Sequence, residues 1–597
     1  MIKKPLHNFH IPVMGLAYTI DSPIRVAQYG ISSVISIIDD EIIEKMKNFY
    51  SKKFNLGDLS ISDRVDDYRA KRITAYLDMV DTIVNEKFEA FKEEISRNAA
   101  ALRNFTDMLP NTSEVKAGLK NILDQNPTVA SVKNFIEKHL SPGNIDVNIM
   151  TKVDKDNFRN NEPLPVIYND AHASLRGFAN SRLSSSVVLS AGMNPRLYGY
   201  LEEFDDFFPD RNGILKKKII LKVSDFRSAM VQGNFLAKKG LWVSEYRIES
   251  GLNCGGHAFA TEGLLLGTIL EEFRQKKNEL IRSACDLMAK ALEQKQKYPV
   301  SEPPEIKITV QGGVGTSEEH DFLLKTYAIE SVGWGSPFLL VPEATSVDGE
   351  TRELLVQSKE EDFYLSNLSP LGVPFNTVKG TSNEIIRHEK EKRNRYGSSC
   401  PKKFLALSRE YSPEGMCTAS KKYQDIKFRE LDAEKENMTE EVFQKRKETI
   451  TEKACLCVGL VNAAYMEQNL PIKGEKQGVV ICPGPNLAYF DKEVSLSEMV
   501  QHIYGNKNIL AENDRPNMFI NELKMYVDHL KKEIQEFSGA LTNAQIKKWK
   551  TFKDNLLQGI GYYENLFRET GFFSTDSRIS QQLEQNRLII SEIEIPQ

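Results

Sequence analysis

Residues 306–343 read IKITVQGGVGTSEEHDFLLKTYAIESVGWGSPFLLVPE, and no other stretch constrains the fold as strongly. Ile306, Ile308 and Val310 alternate with polar neighbours as on a strand, and Gly312 and Gly313 then let the backbone turn with nothing projecting from it. Thr316 and Glu319 have the spacing of a capping box, so a helix is expected to start there and run through Phe322, Leu323 and Tyr327. A second apolar strand follows at Val332 and ends in Gly333, Gly335 and Ser336. Two consecutive strands that both end in Gly-rich turns meet the requirement of a phosphate-binding corner. Bare N–H groups can face an anion there, and the helix N-terminus adds a favourable field. The bland alternative is a pair of tight turns without a ligand, because isolated glycine motifs are weak signals.

Six further apolar runs precede this stretch, at 11–16, 33–38, 145–149, 187–191, 219–223 and 243–248. Helical sequence separates most of them, at 23–29, 170–183, 197–208, 226–239 and 261–297. Eight strands alternating with helices point to an α/β fold, a (β/α)8 TIM barrel, in which a phosphate corner follows strands seven and eight. Residues 40–139 are charged helical sequence, with apolar residues three and four apart over 75–95. That length exceeds an ordinary βα connection, so it marks a helical insertion after strand two, with a lid or a homo-oligomer contact as the roles open to it. The expected organisation is a barrel over 1–345, the insertion over 50–143 within it, a mixed cysteine-containing extension over 346–510, and a helical region over 511–597. Roughly the last twenty residues carry no clear signal.

A net charge of -5 argues against whole-chain attraction to nucleic acid, and the basic run 387–395 is expected to be a solvated helix face. The apolar run at the N-terminus is interrupted by Pro12 and Gly15 and makes a poor secretion signal, and no apolar stretch is long enough to span a bilayer. Seven cysteines, an odd number, suggest no disulfide framework, so a cytoplasmic location away from membranes is expected. Five of them, Cys400, Cys417, Cys455, Cys457 and Cys482, lie in the C-terminal third. They could supply four thiolates to an iron–sulfur cluster, against the alternative of inert buried thiols, although their spacing matches no standard ferredoxin pattern. The Pro-Gly-Pro sequence over 482–486 makes a rigid loop able to border an active site.

The sixth strand ends in ESGLNCGGH, residues 249–257. Two glycines before a histidine at the C-terminal end of a barrel strand place an imidazole at the mouth, beside backbone that can approach a flat ligand closely. A histidine there can move a proton near neutral pH. The alternative is a histidine that caps the next helix or bonds a barrel carbonyl.

The order Ile11-Pro12-Val13-Met14-Gly15, Val147-Asn148-Ile149, Cys254-Gly255-Gly256-His257, Gly312-Gly313 and Gly335-Ser336-Pro337-Phe338 resembles the nitronate monooxygenase (2-nitropropane dioxygenase-like) family. These are FMN-dependent (β/α)8 flavoenzymes related to the flavin-dependent enoyl-acyl-carrier-protein reductases. The resemblance covers residues 5–50 and 144–345. It implies that Met14, Gly15 and Asn148 line the flavin ring, with Gly255 and Gly256 beside it and Lys222 as a further contact. Gly312, Gly313, Gly335 and Ser336 would hold the FMN phosphate, and His257 would transfer the proton. Cys254 stands where the family usually has Ala and adds a thiol to the pocket, while Ser336 replaces Thr and keeps a hydroxyl. The implied function is an FMN-dependent oxidoreductase of a small-molecule carbon acid, with dioxygen or another electron acceptor. Alternatives are an NAD(P)H-dependent flavin enoyl reductase, a flavin-dependent RNA-modifying reductase or, from another class, a non-catalytic barrel scaffold for partner binding.

Overall fold

Eight parallel strands close on one another: β1 (Phe9–Ile11), β2 (Ser32–Ser36), β3 (Ile145–Met150), β4 (Ser186–Ser190), β5 (Lys218–Val223), β6 (Val243–Glu249), β7 (Lys307–Gln311) and β8 (Ser331–Gly333). Each pairs with its neighbour in sequence, and the Phe9–Val332 pair closes the ring between β1 and β8. The chain is thus an α/β TIM barrel, as expected from the strand count. This computed structural model describes residues 5–125, 128–190, 192–300, 302–472, 478–511, 515–537, 539–573 and 577–596. Ala191, expected to end the fourth strand, lies outside the described residues.

The first strand lies upstream of its expected place. It occupies Phe9–Ile11, and the rest of the apolar run, 12–16, leaves the sheet and forms part of the barrel rim. Pro12 has no N–H to give a ladder, and Gly15 turns the chain at φ +54.

The strands alternate with their apolar face outward. Val147, Ile149, Leu189, Leu221, Ile248 and Val310 belong to the main core beneath the helices. Their polar alternates point into the barrel by the period of two along a strand. At one level of this lumen Arg247 pairs with Glu245 at 2.7 Å, and the Thr309 hydroxyl donates to the same carboxylate at 2.6 Å. Burial raises the Asp146 carboxyl to about 6, against the pull of Arg247, and burial with Arg247 holds His10 well below its ordinary value. Val34, Val188 and Ile220 form a small separate apolar cluster with Val13. Asn148, Lys222, Glu249 and Gln311 follow towards the C-terminal mouth.

Between β2 and β3, the Asp40–Lys53 helix and the first half of the Tyr68–Arg97 helix pack into the main core. The rest of the second helix joins Ala99–Asp107, Glu114–Asp124 and Val129–His139 around a core of its own, which includes Phe91, Phe105, Leu119 and Ile136. The basic run 387–395 lies mostly on the Ser382–Lys392 helix, none of whose residues is buried. No helix among the described residues is long and apolar enough to cross a membrane.

Beyond the barrel come an antiparallel pair, β9 (Phe363–Ser366) and β10 (Phe375–Val378), and then mostly helices. The last twenty residues, silent in the sequence, are largely a helix, Ser577–Glu592, which buries Ile579, Leu583 and Ile590 at spacings of four and seven. The Met518–Gln535 helix buries Phe519, Leu523, Tyr526 and Leu530 on one stripe, and with them the carboxyl of Glu522. That carboxyl accepts the Ser250 hydroxyl and the Leu266 N–H, which ties the C-terminal helix to the end of β6.

Burial raises Glu522 from 4.5 to about 7 in spite of these bonds. The folded state therefore holds this proton more tightly than the unfolded chain. The resulting stability is fully present below pH 4.5 and is lost as the pH rises through about 7. Glu522→Gln should remove this slope, so the stability of the parent relative to the variant should fall by about 3 kcal/mol across that window. Denaturant titrations at a series of pH values measure the difference, and parallel pH profiles would disprove it.

Candidate active site

The chain that leaves β6 crosses the barrel mouth as a turn braced from both sides. The Ser250 hydroxyl accepts the Asn253 N–H at 3.1 Å. Asn376, on β10, donates its side-chain amide to the Cys254 carbonyl at 2.6 Å and its N–H to the Gly256 carbonyl at 2.9 Å. Gly256 donates its N–H to the Cys482 carbonyl at 3.1 Å, and a Cβ on Gly255 would stand 2.4 Å from that same oxygen. Glycine is therefore required at 255 by the close approach of the 482–486 loop.

This bracing delivers His257 to the cavity. Its Nε2 lies 2.7 Å from the Ser369 hydroxyl, and its ring meets Phe375 edge-on with centroids 4.9 Å apart. Burial, followed by the positive charges of Lys222 and Lys152, pulls its pKa down to about 4. The imidazole is neutral at pH 7 and can accept a proton.

The two glycine turns lie opposite. Gly312 and Gly313 have φ of +122 and +78, and added Cβ atoms would meet Cys254 Sγ at 2.8 Å and Asn253 Nδ2 at 2.0 Å. The β7 turn thus packs directly on the β6 turn. Cys254 keeps its proton, because burial first and the Glu249 charge second push its pKa well up. The expected helix follows at Ser317–Tyr327 with both halves of the capping box present. At the end of β8, the Ser336 hydroxyl accepts the Gly484 N–H at 2.7 Å, which leaves its own proton to donate. The N–H groups of Gly313 and Gly335 have no partner among the described residues.

Glu319 does more than cap its helix. Besides the Gly315 N–H at 2.9 Å, it accepts the Arg515 guanidinium through both oxygens, at 2.8 and 2.9 Å, and the Met518 N–H at 2.7 Å. Arg515 also donates to the Gly313 carbonyl at 2.8 Å and to Asn486 Oδ1 at 2.8 Å, while Asn486 donates to the Val314 carbonyl at 2.8 Å.

The three turns, His257 and Asn486 border one cavity of about 400 Å³ on the C-terminal face of the barrel. Met14 and Gly15 line it from the β1 rim, Gly255, Gly256 and His257 from the β6 turn, and the β7 and β8 turns from the far side. Asn148 points in from β3 with its Oδ1 buried and without a partner. Lys222 lines the cavity but is engaged, with Nζ 2.8 Å from Glu249, which also accepts Gln311 Nε2 at 2.7 Å. Phe404, Leu405, Leu456 and Leu460, all from the extension, add an apolar wall, and the 482–486 loop borders the cavity as its rigidity suggested. Glu249 and Gln311 escaped the sequence reading, although inward parity at strand ends identifies both. Lys152, Ser369 and Arg515 carried no local signal, since each arrives from a loop or a distant segment.

No protein-family model matches the chain, and no curated protein matches it. Among solved structures, it is similar to the enoyl reductase domain of MlnA from the macrolactin biosynthesis cluster of Bacillus amyloliquefaciens. The identity is 16%, the match covers 66% of this chain and 86% of that one, and the TM-score is 0.32, which bears on neither the fold nor the function of this protein.

The Arg515–Glu319 pair is nearly solvent-free, with side chains 7% and 2% exposed. Arg515→Met should leave a buried carboxylate without its cation and lower stability by roughly 3–5 kcal/mol. Thermal or denaturant unfolding measures it, and a change within about 0.5 kcal/mol would show that the pair is not needed.

Proposed function

We propose that this chain is an FMN-dependent oxidoreductase of the nitronate monooxygenase type. One observation carries the reading: a single cavity at the barrel mouth collects both glycine turns, Asn148 with an unpaired carbonyl oxygen, and a neutral His257. Its volume is within the range of small-ligand sites.

The residues present fit FMN. The partnerless N–H groups of Gly313 and Gly335 and the Ser336 hydroxyl are donors suited to a phosphate. The orphaned Asn148 Oδ1 is an acceptor suited to a ring N–H, and Met14 offers an apolar surface to a flat ring. When bound, FMN would supply the two-electron redox chemistry that no side chain here provides.

The chain's own part is proton transfer and charge stabilisation. With Nε2–H donating to Ser369, Nδ1 of His257 carries the lone pair that removes a proton from the substrate carbon. Lys222 and Lys152, whose charges already act on His257, stabilise the anion so formed. The reverse direction, reduction of an activated double bond by NAD(P)H, calls for a proton donor at this place. With its pKa pulled down to about 4, His257 carries no imidazolium proton to donate at pH 7. A small carbon acid such as a nitroalkane, with dioxygen as the final acceptor, is the matching substrate class.

Purified protein should take up FMN in a one-to-one ratio, and Gly313→Val should abolish uptake. His257→Asn should keep FMN and lower kcat/KM for a small nitroalkane by roughly 10²–10⁴. Failure to bind FMN at all, or rapid anaerobic flavin reduction by NADPH and none by the nitroalkane, would overturn the reading. The pH profile provides a separate check. Because the free base is the active form, kcat/KM should fall as the pH drops through about 4, and Lys222→Met should move that limb to higher pH by removing a neighbouring positive charge.

A further inference from the structure

The Met518–Gln535 helix is far from the barrel in sequence, yet its first two turns support the residues on which the β7 turn packs. Glu522 accepts the Ser250 hydroxyl through Oε1 and the Leu266 N–H, at 2.8 Å, through Oε2. The Ser250 hydroxyl in turn accepts the Asn253 N–H at 3.1 Å. Asn253 donates its side-chain amide to the Met518 carbonyl at 3.2 Å, and its Oδ1 accepts the Asn521 amide at 3.4 Å. The same two residues meet the glycines. A Cβ on Gly312 would stand 2.8 Å from Ser250 Cβ, and one on Gly313 would stand 2.0 Å from Asn253 Nδ2. The β7 turn therefore rests on Ser250 and Asn253, and these rest on the helix.

Packing does not account for a carboxyl at this point. Glu522 is 2% exposed and has no ion-pair partner among the described residues. A glutamine would fill the same space, donate its amide to Ser250 Oγ and accept the Leu266 N–H through its oxygen. A protonated carboxyl makes the same two bonds. What the carboxyl adds is a charge that can come and go. That charge reaches the cavity: after burial and the Glu249 charge, it adds to what pushes the Cys254 thiol up. The Cys254 sulfur is itself only 2.8 Å from where a Cβ on Gly312 would stand.

We propose that Glu522 is a positioning residue of the cofactor site: from the C-terminal helix, through Ser250 and Asn253, it sets the geometry of the Gly312-Gly313 turn and with it the affinity for the FMN phosphate. This deepens the flavin reading and rests on it for the identity of the anion. A phosphate at that turn is a second anion near a buried carboxyl that no cation offsets, so it favours the protonated carboxyl. By linkage, FMN binds more weakly as the pH rises through about 7, where Glu522 ionises. The other titratable groups that face Glu522 are Cys254, Tyr526 and Tyr563, and burial keeps all three protonated across that range. Of the charged groups on the neighbouring turns, Glu249 is paired with Lys222 and Glu319 with Arg515, and His257 is neutral throughout.

The test uses the whole chain. FMN is titrated into the parent and into Glu522→Gln at a series of pH values, with binding read from flavin fluorescence. Between about pH 6 and 8 the dissociation constant of the parent should rise about tenfold relative to that of the variant, the change that one unit of pKa coupling gives. The phosphate's own titration is common to both chains and cancels. Parallel profiles would overturn the proposal. Amide hydrogen exchange of the unloaded chains is a second readout that needs no FMN. Glu522→Ala should speed exchange of peptides covering 250–257 and 312–315 by about tenfold, while Glu522→Gln keeps the parental rate and the β8 turn exchanges alike in all three. Parental rates at both peptides in Glu522→Ala would also overturn the proposal. The pH comparison needs only the isosteric variant, so it decides the matter even if Glu522→Ala unfolds. A chain that takes up no FMN at any pH removes the flavin reading and leaves the exchange rates to judge Glu522, whereas FMN uptake with parallel profiles removes the role of Glu522 and leaves the flavin reading.

Discussion

The Glu319 carboxylate holds the site together. It begins as a local device, the N3 partner of Thr316 in a capping box, and on that account alone would be worth about 1 kcal/mol. Folding makes it the meeting point of the β7 turn, the Arg515 guanidinium and the first residue of the Met518–Gln535 helix. Arg515 in turn grips the Gly313 carbonyl and the Asn486 side chain. Gly313 is held by its carbonyl, and its N–H has no partner among the described residues. The paired glycine turns proposed to hold a phosphate therefore depend on a charge pair whose cation lies almost 200 residues away, at a separation of 196.

The inverted alternation of the barrel strands sets the electrostatics beneath that corner. Because the apolar residues face the helices, the lumen receives Asp146, Glu245 and Arg247 at one level and Lys222, Glu249 and Gln311 nearer the mouth. Each buried charge has an opposite neighbour, as burial demands. One consequence reaches the mouth: Lys222 is fixed by Glu249 with its charge close enough to His257 to depress the histidine pKa. Burial is the larger cause, and the charge of Lys222 adds to it. A barrel with an all-valine lumen would offer no such control.

What was legible in the sequence was local. The capping box, the glycine turns and the alternation of 145–149 each depend on residues a few positions apart, and the structure has them where their spacing puts them. The run at 11–16 misled because apolarity alone does not make a strand: Pro12 withholds a donor, and the ladder had formed already at Phe9–Ile11. The Ser577–Glu592 helix was missed because few apolar residues mark its stripe, and its stability comes from packing on the long helices before it. Ser369 and Arg515 could not be found at all. Each becomes a site residue only through a contact with a residue more than a hundred positions away.

This has a consequence for how the extension relates to the barrel. Gly255 and Gly484 approach so closely that a Cβ on Gly484 would stand 3.1 Å from the Gly255 nitrogen and 3.3 Å from Ser336 Oγ. A lid that opened and closed over a preformed cavity would not need glycine on both surfaces, nor would its backbone bond the Ser336 hydroxyl. The 482–486 loop instead shares hydrogen bonds with the β6 turn, the β7 turn and the β8 turn at once. Its removal would leave the Ser336 hydroxyl and the Val314 carbonyl without their partners. The extension is therefore a wall of the cavity, and the barrel alone would present His257 without part of the surroundings that bury it.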